Sequence, residues 1–378
     1  MRILFSSTPA HGHLLPQLPL ARAFRDRGDA VAVMTSDAFA PVLAPEGIDL
    51  LGVGPSVDVL FAETARRTGV NAAADPTPAA VAEFFAGTRV DLTADDALAA
   101  ARGFAPDLIV AEACDFVGPL AAAALDVPFA TLAFGPAIPA EFTDGLAAVA
   151  ASRFSDRGLA MNPARWYLDP CPDLIQAPGW TAPQGRLALR PEPHQGPGAP
   201  AASPTGVKAP GGRARVLVTF GTYFAEPQVL GPILTAVSGA DIDLRVTLGL
   251  TASADDYDID DERIDFVGFT PLAQLLDGVD LVLTHGGAGT TLAALSRGLP
   301  LVVVPQGADQ FLQAAGVAAS RTGVAVPPQE ATPEAVARAA AEVLADPVYA
   351  DNARKAADQI ASMPSPAEIA DRLAAALS

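Results

Sequence analysis

The chain has 378 residues, of which 50% are apolar, and a formal net charge of −19. This length is long for one domain and sufficient for two. An acidic surface repels nucleic acid and anionic membranes, so neither is expected as a partner. Two cysteines are too few for a disulfide framework and indicate a reducing compartment. Because no secretory signal or uninterrupted run of about 18 apolar residues is present, we expect a cytoplasmic protein without a transmembrane helix.

The first half of the chain alternates apolar strand patterns with helical patterns. This alternation is typical of a parallel sheet covered by helices. Strands are predicted at Arg2–Ser6, Ala30–Thr35, Asp107–Ala111 and Phe129–Leu132, and helices at Leu14–Arg27, Ala94–Arg102 and Phe116–Leu125.

The same alternation restarts after residues 190–213, a stretch rich in proline and glycine with little to pack. The second half therefore predicts another Rossmann-like domain. A final amphipathic helix is predicted at Pro366–Leu377, after a proline break. The second set of strands is predicted at Val216–Phe220, Leu244–Leu248, Ile264–Phe266, Leu281–Leu283 and Leu301–Val304.

A strand, a glycine turn and a helix N-terminus follow one another between residues 281 and 296. His285 and two glycines come directly after the predicted strand, and Thr290 opens an alanine-rich helix. Free backbone N–H groups and the helix dipole at such a turn bind phosphate. A second strand ends before Asp309 and Gln310, whose side chains suit sugar hydroxyls. A generic Rossmann turn with ordinary strand-end polar residues is the competing interpretation.

These residues resemble a known signature. HGG-x-GT-x-x-A-x-x-x-G-x-P, a short strand and P-x-x-x-DQ look like the nucleotide-sugar motif of inverting glycosyltransferases in the UDP-glycosyltransferase-like superfamily. The nearest look-alikes are actinobacterial antibiotic glycosyltransferases of macrolide, enediyne and glycopeptide types. The resemblance implies the α/β fold called GT-B, with two facing Rossmann-like domains, a cleft between them and a C-terminal helix that returns to the N-terminal domain. The implied domains are an acceptor-binding domain (1–205, with 366–378 packed on it) and a nucleotide-sugar-binding domain (206–365).

The family's G-H-x-x-P motif matches Gly12-His13-Leu14-Leu15-Pro16, so the catalytic base carries over to His13. An aglycone hydroxyl is a poor nucleophile until its proton is removed, and a neutral imidazole suits that task. Two other interpretations stay open for His13: a metal site shared with His11, and a capping or packing role. His11 itself is assigned to structure or to lining the substrate pocket.

A histidine base usually has a carboxylate partner that fixes its tautomer. In the family this partner is an aspartate just after a strand, and the aligned position here holds Glu112. The longer side chain must fold back to place its oxygen beside the imidazole. Asp115 is the alternative partner, and Glu112 is also a candidate helix cap.

The resemblance implies a set of donor-binding residues after the strands of the second half. His285 would bond a phosphate oxygen, and the glycine turn would hold the pyrophosphate. The implied residues are His285, Gly287, Ala288, Gly289 and Thr290 for the pyrophosphate, Gly221 and Thr222 for a second turn, Phe269, Thr270 and Leu272 for the base, and Asp309 and Gln310 for the sugar.

No metal or cofactor is expected beyond the nucleotide-diphosphosugar co-substrate, dTDP- or UDP-linked. Two Asp-x-Asp triplets (Asp241–Asp243 and Asp258–Asp260) match the metal-binding motif of another glycosyltransferase fold in letters only. The acceptor pocket is expected among aromatic residues of the first half. These are Phe61, Phe84, Phe85, Phe134, Phe142, Phe154 and Trp166, each of which could instead belong to the core.

The sequence therefore predicts a hexosyltransferase-type glycosyltransferase. It would move a deoxysugar from a dTDP-sugar to a hydroxyl of a lipophilic natural-product aglycone, with inversion. A sugar-nucleotide epimerase of the same fold and a non-catalytic binding protein are the alternatives. A nicotinamide-dependent enzyme would need G-x-G-x-x-G after a strand, which the chain lacks. The sugar, the aglycone, the linkage atom, a homodimer and an auxiliary protein are left open.

Overall fold

The chain forms two compact units in a computed structural model that describes residues 1–72, 76–193, 212–221, 227–249, 253–257, 259, 261–268 and 270–377. The first domain comprises Met1–Cys171, Gly179–Arg190 and Met363–Ser378. The second comprises Pro172–Pro178 and Pro191–Ser362. The predicted boundary between residues 205 and 206 lies outside the described residues.

The first domain is built on a seven-stranded parallel sheet with the order β3-β2-β1-β4-β5-β6-β7. The chain adds β2 and β3 on one side of β1 and then crosses to add β4 on the other. Ligands of open α/β sheets bind at the carboxyl ends of strands beside such a switch point, here between β1 and β4. The strands are β1 (Arg2–Ser6), β2 (Ala30–Thr35), β3 (Asp49–Gly52), β4 (Leu108–Glu112), β5 (Phe129–Leu132), β6 (Trp166–Asp169) and β7 (Arg186–Ala188).

Helices cover both faces of this sheet. They are α1 (His11–Leu14), α2 (Leu18–Asp26), α3 (Ala40–Leu43), α4 (Val57–Thr68), α5 (Pro78–Ala82), α6 (Arg89–Phe104), α7 (Val117–Leu125) and α8 (Ala140–Ser155). A π-helical turn, Glu83–Thr88, joins α5 to α6.

The prediction of one continuous helix over Leu14–Arg27 was wrong in two respects. Helical structure begins at His11, and a 3₁₀ turn at Leu15–Gln17 separates α1 from α2. Pro16 and Pro19 have no N–H to donate, so they interrupt the α-helical hydrogen bonds. As a result, His13 lies inside the first helical turn.

The second domain has a six-stranded parallel sheet with the order β10-β9-β8-β11-β12-β13, so its switch point lies between β8 and β11. Its strands are β8 (Ala214–Thr219), β9 (Ile242–Thr247), β10 (Ile264–Val267), β11 (Leu281–Thr284), β12 (Leu301–Val303) and β13 (Gly323–Ala325). Its helices are α9 (Pro227–Ser238), α10 (Leu272–Leu275), α11 (Ala288–Ser296), α12 (Gln310–Ala319), α13 (Pro333–Ala345) and α14 (Pro347–Ala361).

The last helix, α15 (Pro366–Leu377), belongs to the first domain. Its apolar residues recur at helical spacing, so Ile369, Ala370 and Leu373 share one face. That face is buried in the core under β1, and Asp371 pairs with Arg27 at 2.7 Å. Across the described parts of the chain, no helix is both long and apolar enough to cross a membrane.

Candidate active site and donor site

The carboxyl ends of β1 and β4 bring His13 and Glu112 together. The two strands are hydrogen-bonded neighbours, with Ser6 aligned to Ala111. His13 follows β1 on α1, and Glu112 is the last residue of β4. Nδ1 of His13 lies 3.0 Å from Oε1 of Glu112. An imidazole and a carboxylate are therefore paired at the switch point of the first sheet.

Backbone donors fix the Glu112 carboxylate from both sides. Its Oε1 also accepts the N–H of Thr8 at 3.1 Å, and its Oε2 accepts the N–H of Cys114 at 2.6 Å. The side chain is fully buried, which by itself raises the pKa of the carboxyl. The imidazole of His13 and the two backbone hydrogen bonds oppose this effect, so the pKa of Glu112 is lowered overall. The group is an anion at neutral pH, and a fixed anion holds its partner's ring in one orientation.

Two phenylalanines lie against the His13 ring. The ring centroids of Phe134 and Phe85 are 5.0 and 5.4 Å from that of the imidazole. Phe85 continues into an aromatic cluster, because Phe84 lies edge-on to it and Phe61 stacks on Phe84 at 4.4 Å. Two of the predicted acceptor-pocket aromatics, Phe85 and Phe134, therefore contact the imidazole, and Phe84 and Phe61 continue from Phe85 into a small buried cluster.

The other predicted aromatic residues lie elsewhere. Phe154 is fully buried in the core between the sheet and α6. Trp166 begins β6 and packs against the core on the other face of the sheet, the one that includes Ile3 and Phe5. Phe142 is half-buried on α8. Core packing, the competing interpretation for each aromatic, is what the structure shows for Phe154.

Asp115 has a different set of partners from Glu112. Its Oδ1 accepts two hydrogen bonds from Arg89, at 2.7 and 3.1 Å, and its Oδ2 accepts the N–H of Gly118 at 3.0 Å. Asp115 therefore caps the first turn of α7 and neutralises a buried guanidinium.

His11 packs on Phe39, with ring centroids 5.0 Å apart. Burial lowers the pKa of His11, and its Nδ1 has no hydrogen-bond partner among the described residues. The ring is thus an uncharged packing group beside the site. No group of three or more metal-ligating side chains occurs within the described ranges.

In the second domain, His285 directly follows β11 at the switch point. Two glycines leave space for its ring. A β-carbon on Gly221 would lie 2.8 Å from Cε1 of His285, and one on Gly287 would lie 2.8 Å from Nε2. Burial lowers the pKa of His285 to about 4, while a hydrogen bond with the backbone of Thr219 raises it by less. The imidazole is therefore neutral at pH 7 and donates its one N–H to the backbone of Thr219.

Helix α11 begins one residue after Gly287, two residues earlier than predicted from the sequence. No side chain caps the helix, and its first turn carries no acidic residue. Ala288 is buried, Thr290 is half-buried and Gly289 is exposed. Uncapped N–H groups on a first turn that is exposed at Gly289 are suited to bind an anion.

The remaining predicted donor-binding residues follow strands of the same sheet and differ in burial and in hydrogen bonding. Gln310 is buried, and its Oε1 accepts the N–H groups of Gln306 and Gly307 at 2.7 and 3.1 Å. Asp309 is half-buried and accepts from Gln313 at 3.3 Å. Gln310 therefore holds its own loop, and Asp309 is the more accessible of the two. Thr270 and Leu272 are half-buried around the start of α10. Thr222 and Phe269 lie outside the described residues.

The first Asp-x-Asp triplet lies at the opposite edge of the sheet. Asp241 precedes β9, and both it and Asp243 pair with Arg213, Asp241 at 2.5 Å and Asp243 at 3.8 Å. The second triplet has its two aspartates outside the described residues.

Two family profiles match the chain. The N-terminal domain of erythromycin biosynthesis protein CIII-like proteins matches residues 22–221, and the C-terminal domain matches residues 232–376. The chain belongs to the EryCIII-like family. Membership confirms the predicted resemblance to antibiotic glycosyltransferases and the activity class that follows from it.

Curated EryCIII-like relatives extend over nearly the whole chain. The elloramycin glycosyltransferase ElmGT of Streptomyces olivaceus is 32% identical over 389 residues, which cover 99% of this chain and 97% of the relative. The L-demethylnoviosyl transferase of Streptomyces niveus is 31% identical and covers 99% and 98%. The glycosyltransferase SsfS6 of Streptomyces sp. SF2575, solved with thymidine diphosphate, superimposes with a TM-score of 0.83 at 27% identity and covers 99% of each chain. The predicted GT-B class of two parallel-sheet Rossmann-like domains is confirmed.

Sequence reasoning about this EryCIII-like chain missed the groups that hold the paired side chains. The N–H groups of Thr8 and Cys114 fix Glu112, and backbone donors carry no sequence signal. Arg89 was also missed. It is a buried charged residue at the start of α6, where the other buried positions include the apolar residues Val90, Ala94 and Ala97. A charged residue beside apolar residues that recur at helical spacing is the sequence signal that could have identified it.

Proposed function

We propose that the chain is an inverting, metal-independent glycosyltransferase that uses His13 as its general base. The proposal is carried by the 3.0 Å contact between Nδ1 of His13 and Oε1 of Glu112. The first domain (1–205 with 366–378 in our assignment) binds the acceptor. The second domain (206–365) binds the nucleotide sugar, and no cofactor is required.

The Glu112 contact selects the useful tautomer of His13. A carboxylate can only accept, so in the neutral imidazole the proton resides on Nδ1 and is donated to Oε1. The lone pair is then on Nε2, which takes the proton of the acceptor hydroxyl. As the imidazolium forms, the Glu112 anion stabilises its charge, as in other carboxylate–histidine pairs.

The displacement is a single step in this proposal. The acceptor oxygen forms a bond to the anomeric carbon from the face opposite the diphosphate. The bond between that carbon and the diphosphate oxygen breaks, and the electron pair leaves with the diphosphate. The N–H groups at the start of α11 and the Thr290 hydroxyl then meet the developing negative charge. These donors substitute for a divalent cation.

The donor is a dTDP-linked deoxysugar, by analogy with the thymidine diphosphate bound to SsfS6. Asp309 bonds sugar hydroxyls, while Gln310 keeps the loop in place. The acceptor is a lipophilic natural-product aglycone, by analogy with relatives named as an elloramycin glycosyltransferase and an aklavinone rhodosaminyltransferase. The rings of Phe85 and Phe134 supply an apolar wall beside the base.

The test is transfer from dTDP-linked hexoses to a panel of polyketide aglycones, with proton NMR of the anomeric centre in donor and product. We expect the anomeric configuration to be inverted and the rate to be unchanged by excess EDTA. Retention of configuration would overturn the one-step displacement. A rate lost in EDTA and restored by Mg²⁺ would overturn metal independence.

A further inference from the structure

Arg89, the first residue of α6, is the largest fully buried side chain of the first domain, with 1% of its surface exposed. Its Nη2 donates to the backbone carbonyl of Ser7 at 2.7 Å and to Oδ1 of Asp115 at 2.7 Å. Its Nε donates to the same Asp115 oxygen at 3.1 Å. One guanidinium therefore joins the segment that follows β1 to the segment that follows β4.

The same two segments carry the proposed catalytic pair. Thr8, next to Ser7, donates its N–H to Glu112. Glu112 is three residues before Asp115 and accepts from Cys114 between them. The separation of the two segments therefore sets where the Glu112 carboxylate lies relative to His13. Arg89 fixes that separation. Among the described residues, its hydrogen bonds go to Ser7 and Asp115 and not to the imidazole.

A third segment also ends at Arg89. The π-helical turn Glu83–Thr88 immediately precedes it and carries Phe85, whose ring lies against His13. Single π-helical turns of this kind are frequent at functional sites. The guanidinium thus anchors the start of α6 at the point where three segments around the base meet.

Stability alone is a weak reason for a buried arginine. Removing two charges from water costs several kcal/mol per ion, and well-packed apolar replacements of buried ion pairs are often as stable or more stable. A planar guanidinium, however, fixes the positions of two acceptors at once, which an apolar side chain cannot do. Geometry is the property that only the arginine supplies here.

We propose that Arg89 is a positioning residue for the His13–Glu112 pair. It holds the Ser7–Thr8 and Glu112–Asp115 segments at the separation that the imidazole–carboxylate contact needs. The proposal rests on the proposed role of His13 as the base.

The test is the Arg89→Lys variant, which keeps the positive charge and loses the two-pronged donor. We expect kcat per folded enzyme to fall at least tenfold, while KM for dTDP-sugar and for aglycone stays within threefold of wild type. The Arg89→Met/Asp115→Asn double variant removes both charges and keeps an acceptor at the α7 cap. It should show the same split between kcat and KM, with a melting temperature closer to wild type than that of Arg89→Lys.

The matched control is Arg22→Lys. Arg22 makes a two-pronged pair with buried Glu46, which precedes β3 at the amino edge of the same sheet. This variant should lower the melting temperature and leave kcat unchanged. A wild-type kcat in folded Arg89→Lys and in the double variant would overturn the positioning role. If His13→Ala transfers at the wild-type rate, the base assignment fails first, and the Arg89 proposal fails with it.

Discussion

The imidazole of His285 lies directly against the backbone of Gly287. A β-carbon added at Gly287 would be 2.8 Å from Nε2 and 3.1 Å from Cε1 of the ring. A β-carbon added at Gly221 would approach the same edge of the ring, at 2.8 Å from Cε1 and 3.0 Å from Nε2, and Gly221 has a φ of +71°, which side chains rarely adopt. These two glycines therefore accommodate the histidine, whereas a β-carbon added at Gly289 would have no atom within 4 Å from the described residues outside its own helical turn.

The Gly287→Ala and Gly289→Ala variants should therefore have different defects: the first should lose stability, and the second should lose affinity for the diphosphate. The first crowds His285, and overpacking of this kind costs about 1–3 kcal/mol of stability and displaces the turn before α11, where the diphosphate is proposed to bind. The second adds a methyl group to an exposed helical turn, which stabilises the helix by up to about 1 kcal/mol but obstructs the proposed diphosphate site. Thermal unfolding and titration with thymidine diphosphate separate the two effects. Wild-type stability and affinity in Gly287→Ala would contradict the packing argument.

Stability of the second domain should depend on His285 at mildly acidic pH. Burial lowers its folded-state pKa to about 4, below the ordinary value of 6.5. The unfolded chain therefore binds more protons between these values, and the stabilising contribution, complete above pH 6.5, is lost as pH falls toward 4. From pH 7 to pH 4.5 the loss is about 2 kcal/mol.

The measurement is hydrogen exchange of amides in β8 and β11, corrected for intrinsic rates, in wild type and His285→Asn. The variant has no group that titrates at this position, so it should lose about 2 kcal/mol less protection than wild type over that pH range. Equal losses in the two proteins would mean that His285 titrates normally.

Glu112→Gln should impair catalysis through the tautomer of His13. The new amide can donate to Nδ1, which favours the imidazole with its proton on Nε2, the nitrogen that must accept. A comparable exchange in a serine-protease triad lowers kcat about 10⁴-fold, and we expect a loss of about 10²- to 10⁴-fold here. Binding of thymidine diphosphate should stay within twofold of wild type in a calorimetric titration. A kcat within threefold of wild type would remove Glu112 from the mechanism.

Much of the fold could be predicted because the central strands are continuous apolar runs. Leu281–Thr284 is buried at every position, and Arg2–Ser6 and Phe129–Leu132 have the predicted ends. The edge strands β3, β7 and β13 were missed, and so was β6, which lies next to β7. Asp49–Gly52 and Arg186–Ala188 are short and only partly buried, so their sequences lack the apolar pattern that identifies a strand.

The candidate site could be predicted only where a motif carries it. Glu112 and His285 lie at the ends of strands, and His13 lies on the helix that follows β1, so all three could be placed from the sequence. The contacts between distant segments are not, because they depend on the order of strands in the sheet. Phe85 and Phe134 are far apart in the chain and meet only across the His13 ring. Gln310 appeared equivalent to Asp309 in the motif, yet its carbonyl oxygen is used by its own loop.

The most direct measurement is single-turnover sugar transfer by His13→Ala beside its affinity for thymidine diphosphate. The base contributes to the proton transfer and not to nucleotide binding, so the two quantities should separate. We expect the rate to fall by about 10²- to 10⁴-fold, while the affinity for the nucleotide stays within twofold of wild type. A variant that binds thymidine diphosphate normally and still transfers sugar at the wild-type rate would contradict the assignment of His13 as the base.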